Sequence, residues 1–160
     1  MNTENFIKLY NELKMPVFAV CYRIVQNRQL AEDITQDVFV KVFTTPPEPS
    51  VSNVRAWIFR IARNQCIDAL RKKQSTDIDE LQLADPKDLQ DIALRIDLET
   101  AIGSLPVEQR EILSLHLNCD LGFKEIAAIC GKSMPAVYRI YRKGLKNLQN
   151  LLTETDGDLI

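Results

Sequence analysis

Glycine, histidine, tryptophan and long apolar runs are all scarce in this sequence. Its 160 residues include 5 glycines, 1 histidine and 1 tryptophan. The absence of sustained polar–apolar alternation argues against β-strands and favours helices throughout. No apolar run approaches the roughly 20 residues needed to cross a bilayer, and the polar N-terminus has no signal peptide. We therefore expect an all-α, cytoplasmic protein without membrane insertion.

The sequence also lacks the motifs of common catalytic and metal sites. It contains no GxxxxGK[ST], GxSxG or HExxH. Its cysteines (Cys21, Cys66, Cys119 and Cys130) form no CxxC pair, although zinc ligands are usually closely spaced. We predict no enzyme activity, no metal site and no cofactor. The thiols are expected to be reduced and mostly buried, and His116 to be structural.

Charge is distributed unevenly along the chain. Residues 1–73 hold 11 Lys/Arg and 7 Asp/Glu, residues 74–99 hold 2 and 8, and residues 100–160 hold 7 and 7. The net charge of −2 therefore hides a basic segment, an acidic stretch and a neutral segment. Because phosphate contacts are short-ranged at physiological salt, local basic clusters bear on nucleic-acid binding more than the total does.

Helical periodicity predicts two small helical domains, 1–73 and 88–152, joined by an acidic linker at 74–87 and followed by a frayed tail at 153–160. In the first domain, we expect a helix over about 5–25 that Pro16 interrupts, followed by helices over 30–43 and 53–73. Asn53 can cap the last of these. In the second, we expect helices over about 88–104, 106–118, 122–130 and 133–152, with Pro106 at a first helical position.

The strongest functional pattern is a helix-turn-helix over residues 122–152. Gly131 permits the left-handed turn that ends the short helix, and Ser133 can cap the longer one. From Lys132 to Lys146 there are five basic residues and no acidic residue. One face of the longer helix is mostly apolar and the other is basic, which suits a helix lying in the major groove. The alternative is an ordinary solvated basic face in a helical bundle.

Two other helices carry weaker patterns. The helix over 53–73 repeats basic and amide groups beside the Pro-rich loop 44–52, which suits a nucleic acid strand with bases held in pockets. A surface helix whose basic C-terminus is favoured by its dipole explains this pattern equally well. The helix over 31–43 places acidic and amide groups beside hydrophobic residues expected to be exposed, which suits a protein interface. Taken alone, a plain amphipathic helix is the favoured explanation.

Together, the ordered segments AEDITQDVFVKVF, VRAWIFRIARNQCIDALRKK, SLPVEQREILSLHL and GFKEIAAICG, followed by a basic helix, resemble the extracytoplasmic-function (ECF) group of bacterial sigma-70 factors. The resemblance implies a sigma-2-like domain, a sigma-4-like helix-turn-helix domain, and a linker where larger relatives carry another domain. The implied function is that of a sigma factor, which binds core RNA polymerase and directs promoter-specific initiation. The alternative, a stand-alone helix-turn-helix regulator, leaves the 33–43 surface and the Pro-rich loop without a function.

The resemblance also implies partners and site residues. The surface for the β′ clamp helices of core polymerase comprises Asp33, Gln36, Asp37, Phe39 and Val40. The surface that melts and reads the minus-10 element comprises Thr44, Thr45, Ser50, Ser52, Asn53, Arg60, Arg63, Asn64, Arg71 and Lys72. The surface that reads the minus-35 element, while its domain rests on the β flap, comprises Lys132, Ser133, Pro135, Ala136, Tyr138, Arg139, Arg142 and Lys143. An anti-sigma factor is a further implied partner.

Overall fold

The computed structural model describes residues 3–45, 53–75 and 96–158, and the regular structure in those ranges is α-helical. The helices are α1 (Thr3–Val25), α2 (Arg28–Thr44), α3 (Val54–Ser75), α4 (Ile96–Gly103), α5 (Val107–Asn118), α6 (Phe123–Cys130) and α7 (Met134–Asp158). Most of the predicted linker, and the start of the helix predicted at 88, lie outside the described residues. Residues 74 and 75 belong to the end of α3.

The helix α1 passes through Pro16 without a break, so the predicted interruption is wrong. Proline removes one backbone donor and costs a helix interior about 3 kcal/mol. Here α1 packs against α2, α3 and α5 and buries Leu13, Val17 and Val20, which flank the proline. Packing on several sides therefore outweighs the local cost of the proline.

Two asparagine side chains begin the next helices. The Oδ1 of Asn27 accepts a hydrogen bond from the backbone N–H of Leu30 at 3.0 Å, at the start of α2. The Oδ1 of Asn53 accepts from the N–H of Ala56 at 3.1 Å, which confirms the predicted cap of α3. Such caps satisfy donors that the first helical turn leaves without intrahelical partners.

The later helices agree with prediction except at their ends. Pro106 is the N-cap of α5 rather than its first helical residue, because its ψ of 151° is extended. The helix α7 continues to Asp158, so the tail predicted to fray is helical over residues 153–158. Leu151 and Leu152 pack against the cluster formed with α4 and α5, which anchors this last part of the helix.

One hydrophobic core runs through both halves of the chain. It joins Val20, Ile24 and Ile58 of the first three helices to Ile112 and Ile126 of α5 and α6. The helix α1 packs against α5, and α3 packs against α6. A smaller cluster of Ala101, Ile102, Leu105, Leu113 and Leu148 fixes α4 and α7 on the far side of α5. The two predicted domains therefore share a continuous apolar interface.

Candidate nucleic-acid interface

The turn between α6 and α7 has the backbone expected of a helix-turn-helix. Gly131 adopts the left-handed conformation (φ 67°), and its N–H donates to the carbonyl of Ala127. Ser133 then caps α7, its Oγ accepting from the N–H of Ala136 at 3.3 Å. Both features confirm the sequence prediction. They orient α7 so that Val137 is fully buried while the next two residues are exposed.

The outer face of α7 carries the basic residues that the sequence placed there. We call Arg139, Arg142, Lys143 and Lys146 the basic face of α7, and all four are exposed. The opposite face is buried or half-buried and comprises Val137, Ile140, Tyr141, Gly144 and Leu148.

The remaining residues predicted for the minus-35 element lie at the start of this helix. Ser133 and Pro135 are exposed and Ala136 is half-buried. Lys132 is directed elsewhere: its Nζ lies 3.0 Å from Glu108 Oε1 on α5.

Close packing at Gly144 sets the position of α7 against α5. A Cβ built on this glycine would lie 3.1 Å from Gln109 Cβ and 3.2 Å from Leu113 Cδ1. Even a methyl group there would require the Gln109 and Leu113 side chains to shift by a few tenths of an ångström. The helices are also joined by a hydrogen bond from Asn147 Nδ2 to Gln109 Oε1 at 3.2 Å.

A line of aromatic rings connects α5 with the surface of α7. His116 stacks on Phe123 with ring centroids 4.6 Å apart and 11° between planes. Tyr141 meets the same phenylalanine at 5.1 Å, and Tyr138 meets it edge-on at 5.6 Å and 89°. The His116 Nδ1 also lies 3.2 Å from the carbonyl oxygen of Leu121. His116 thus has a packing role, consistent with its predicted structural character.

The helix α3 presents its predicted minus-10 residues in two different ways. Arg60, Asn64 and Arg71 are exposed, and so is Lys72. In contrast, Asn53 Nδ2 donates to Glu125 Oε1 on α6 at 2.7 Å. Arg63 pairs with Glu111 on α5, at 3.2 Å from Nε to Oε2 and 3.3 Å from Nη2 to Oε1.

The loop residues predicted for the minus-10 element are only partly described. Thr44 ends α2, its Oγ1 donating to the carbonyl of Val40 at 2.8 Å. Thr45 is exposed, and its backbone N–H donates to the carbonyl of Lys41. Ser50 and Ser52 lie outside the described residues. Their predicted contact with an unstacked base stays a prediction.

The polar contacts between the two halves were missed at the sequence level. The Glu111 side chain is only 2% exposed, and the Arg63 side chain 20%. Arg110 donates from Nε to the carbonyl of Arg23 and from Nη2 to the carbonyl of Ile24, each at 2.9 Å. These carbonyls belong to the last turn of α1, where helical partners are missing. Burial lowers the pKa of Arg110, and the charge of Glu111 partly opposes that shift.

Two further contacts join the halves of the chain. Together with the contacts of Glu111 and Arg110, we call them the interdomain seam. Arg23 Nη2 lies 2.9 Å from Glu99 Oε1 on α4. Arg55 Nε donates to the carbonyl of Cys119 at 2.9 Å, just after α5. A single charged residue inside an amphipathic pattern gives no sign of its partner. The sequence signal that could have identified Glu111 is its position four residues from both Val107 and Leu115, which places it on an apolar side of α5.

The surface of α2 departs from prediction at its aromatic residues. Asp33, Gln36, Asp37 and Val40 are exposed as predicted, Val40 by 61%. Phe39 is only 3% exposed, so its predicted exposure is wrong. It contacts Tyr10 of α1 at a centroid distance of 5.1 Å, because α1 packs directly over this face. Phe43, one turn further along α2, is 48% exposed.

An apolar groove nevertheless opens where α1 meets α2. Its volume is about 580 Å³. It is lined by Thr3, Phe6, Ile7, Tyr10, Gln36, Phe39, Val40 and Phe43. Three of these residues are among those predicted to bind core polymerase, and Phe39 contributes its buried ring to the wall.

The four cysteines are free thiols and are buried, as predicted. Burial raises the pKa of Cys119 and Cys130 to about 12. The pKa of Cys66 is also raised, first by its hydrogen bond with Cys21 and then by burial. Over residues 3–45, 53–75 and 96–158, no group of three or more His, Cys, Asp or Glu side chains is arranged to hold a metal ion.

A search of the described helices found none with both the length and the apolar character required of a membrane span.

Comparison with known proteins matches both halves of the chain to one family. The model described as Sigma-70 region 2 matches residues 9–76. The model described as Sigma-70, region 4 matches residues 95–148. The gap between the two matches contains most of the acidic stretch noted in the sequence.

Individual relatives agree with the family models. The ECF RNA polymerase sigma factor SigE of Mycolicibacterium smegmatis is 30% identical over 155 residues, which are 89% of this chain and 59% of that protein. The ECF RNA polymerase sigma factor RpoE of Cereibacter sphaeroides is 33% identical over 129 residues, which are 74% of this chain and 70% of that protein.

The fold is shared with a solved structure of the sigma factor RpoE in complex with the anti-sigma factor NepR, from Bartonella quintana. The TM-score is 0.75 at 22% identity, with 94% of this chain and 98% of that chain covered. The helix-turn-helix with its basic outer face, the region 2 match over α1–α3 and these relatives lead to the same conclusion. The chain belongs to the ECF group of the sigma-70 family of RNA polymerase sigma factors.

Proposed function

We propose that this chain acts in the cytoplasm as a dissociable sigma subunit, which binds core RNA polymerase and directs initiation at a specific set of promoters. Two features found together support the proposal. One is a helix-turn-helix whose basic face is exposed, and the other is a separate segment that matches Sigma-70 region 2. A stand-alone DNA-binding regulator needs only the helix-turn-helix. The polymerisation chemistry belongs to the core enzyme, and this chain is not itself an enzyme.

We assign minus-35 reading to α7. Tyr138, Arg139, Arg142 and Lys143 are exposed on one side of this helix. Arginine and lysine donors suit guanine edges and phosphates in the major groove. Ser133 and the α6–α7 turn orient the helix, and Lys132, which pairs with Glu108, is better suited to fixing the turn than to contacting a base.

We assign minus-10 binding to α3 and the segment before it. Arg60, Asn64 and Arg71 are exposed and carry donors at helical spacing. Asn53 and Arg63 contact Glu125 and Glu111 in the described conformation. Their use on DNA therefore requires that α5 and α6 move away from α3.

We assign core-polymerase binding to the exposed side of α2 and the groove beside it. Asp33, Asp37 and Gln36 provide acidic and amide groups, and Val40 and Phe43 provide exposed apolar surface. This mixture favours a helical partner with basic residues beside apolar ones, which is the chemistry we expect of the β′ clamp helices. The second half, with residues 88–152 as its predicted extent, is expected to contact the β flap.

An anti-sigma factor is a further proposed partner. A structural relative with this fold is described as a sigma factor in complex with an anti-sigma factor. The same groove between α1 and α2 offers apolar side chains for a second protein. Competition between such a protein and core polymerase for this surface would switch the chain off.

The test is transcription of fragmented genomic DNA with core polymerase in the presence and absence of the chain, followed by mapping of the RNA start sites. We expect start sites that depend on the chain and share two sequence elements upstream. Tight binding of the isolated chain to duplex DNA, without retention on core polymerase, would instead favour a stand-alone regulator.

A matched variant pair separates the two surfaces in the same assay. Arg139→Ala with Arg142→Ala removes two donors of the basic face of α7 and leaves α2 unchanged. Asp37→Arg alters α2 and leaves α7 unchanged. We expect the first variant to retain core polymerase in a pull-down and lose promoter selectivity, and the second to lose polymerase retention.

A further inference from the structure

Tyr138 is exposed by 47% on the basic face of α7, yet its ring has fixed neighbours. It stands edge-on to Phe123, with centroids 5.6 Å apart and planes at 89°. Phe123 in turn contacts His116 and Tyr141, whose rings also contact each other. Edge-to-face pairs of this kind are favoured by the charge distribution of aromatic rings. An exposed tyrosine is thus connected to the interior of the second half.

Arg142 lies four residues after Tyr138, on the adjacent turn of the same helix. Its guanidinium carbon is 5.8 Å from the centroid of the Tyr138 ring, within the range of a cation–π contact. The residue is exposed, and within the described ranges no carboxylate forms an ion pair with it. The aromatic ring is therefore the contact that restrains its charged end.

We propose that Tyr138 is a positioning residue for Arg142, holding its guanidinium in the orientation that reads a guanine of the upstream promoter element. This inference rests on the proposed function. A guanine is recognised through two parallel hydrogen bonds from the guanidinium fork to O6 and N7, which demands a defined orientation. A long arginine side chain normally loses rotamer freedom on binding, and a ring that restrains it beforehand reduces that loss.

The neighbouring Arg139 provides an internal comparison. It is exposed on the same face, and the ring contacts of the described residues do not include it. A phosphate contact tolerates many orientations, so an unrestrained arginine suits that task. The two arginines therefore have different roles: Arg142 reads a base, and Arg139 binds the phosphate backbone of the DNA.

The test uses the full chain with core polymerase on a promoter library randomised at each minus-35 position. We expect Tyr138→Ala to lower the preference for guanine at one position by about 2- to 5-fold, the scale of a cation–π contact at an exposed site. Tyr138→Phe keeps the ring and should retain that preference. Arg142→Ala should lose the same preference at the same position, and adding Tyr138→Ala to it should cause no further loss. Arg142→Lys keeps the charge without the fork and should also lose it.

A second measurement reports on the contact itself. In the free protein, the ring current of Tyr138 should shift the NMR resonance of the Arg142 Nε–H. That shift should vanish in Tyr138→Ala and persist in Tyr138→Phe. Equal melting temperatures of the variants would show that the loss of preference is not a loss of folding.

Several outcomes would overturn the inference. One is a uniform loss of transcription by Tyr138→Ala on all library members. Another is equal damage by Tyr138→Phe, and a third is an additive effect with Arg142→Ala. Absence of any upstream base preference in the unmodified chain would instead count against the proposed function itself. That result is visible before any variant is made.

Discussion

The two surfaces assigned to DNA differ in what covers them. On α7, the arginines and lysines of the basic face are exposed. On α3, Arg63 is paired with Glu111, and Asn53 with Glu125, both from the second half of the chain. The sequence patterns of the two helices are alike in residue type and spacing. The difference shows that a row of basic residues identifies a helix that can bind a polyanion. It does not show whether those basic side chains are already paired with carboxylates of the same chain.

The covered surface has the stronger individual contacts. Glu111 is almost fully buried, so its charge depends on Arg63 for compensation. The exposed pair between Lys132 and Glu108, at a similar distance, is screened by solvent and contributes little to stability. A ligand that takes Arg63 away from Glu111 leaves a buried carboxylate without its partner charge. Its binding must therefore compensate for that free-energy cost. Opening of the two halves and occupation of α3 are expected to be coupled.

The largest expected effect is that of removing Glu111. Breaking one side of a buried ion pair typically costs about 3–5 kcal/mol. We expect Glu111→Ala to lower the free energy of unfolding by about that amount, measured by urea denaturation. Glu108→Ala on the same helix is the matched control and should cost under about 1 kcal/mol. Equal effects of the two substitutions would mean that the interdomain seam does not hold the halves together.

The same contrast applies to two adjacent residues of α2. Phe39 is 3% exposed and Val40 is 61% exposed. Phe39→Ala should cost about 3–5 kcal/mol of stability by creating a cavity. Val40→Ala should leave stability within about 0.5 kcal/mol while weakening retention on core polymerase. Denaturation and a polymerase pull-down measure the two effects, and a Val40→Ala variant that binds polymerase normally would remove this residue from the interface.

A smaller effect is expected on the open surface. Arg139→Ala with Arg142→Ala should lower use of promoters that carry the upstream element, by about 1–3 kcal/mol for a lost base contact. Thermal melting should be unchanged because both side chains are exposed. Arg63→Ala should instead lower the melting temperature, since it leaves Glu111 buried without its partner. Quantitative transcription with and without the upstream element gives the comparison. If the Arg139→Ala, Arg142→Ala variant lost equal activity on promoters with and without the upstream element, the prediction would be contradicted.

The smallest effect at neutral pH concerns the buried thiols. Burial raises the pKa of Cys119 and Cys130 to about 12, whereas thiols of the unfolded chain have a pKa of about 8.5. Between these values the unfolded chain loses protons that the folded chain retains. The free energy of unfolding should therefore be insensitive to these groups below about pH 8 and fall as pH rises toward 12. Urea denaturation at several pH values should show a weaker decline in a Cys119→Ala, Cys130→Ala variant, and an unchanged decline would count against this origin.

The periodicity of apolar residues was sufficient to place most of the helices and the burial of α7. The turn at Gly131 and the caps at Asn53 and Ser133 follow from local chemistry, and all three are confirmed. The errors arose where distant parts of the chain meet. Pro16 remains helical because other helices support α1, and Phe39 is buried because α1 covers it. Such contacts depend on three-dimensional neighbours, which helical spacing does not specify.

The close approach at Gly144 has a consequence for how promoter preference can diverge among descendants of this chain. The arginines of α7 are exposed, so their exchange should cost little stability, and on the proposed assignment an exchange at Arg142 would alter the base preference. Gly144, where an added Cβ would lie 3.1 Å from Gln109 and 3.2 Å from Leu113, would on the same assignment set the angle at which α7 meets the DNA. Tyr138 lies six residues away, about 9 Å along the axis, so a small tilt at the glycine is magnified at the reading end. We expect mutational drift to alter the basic face freely while this pivot remains a glycine.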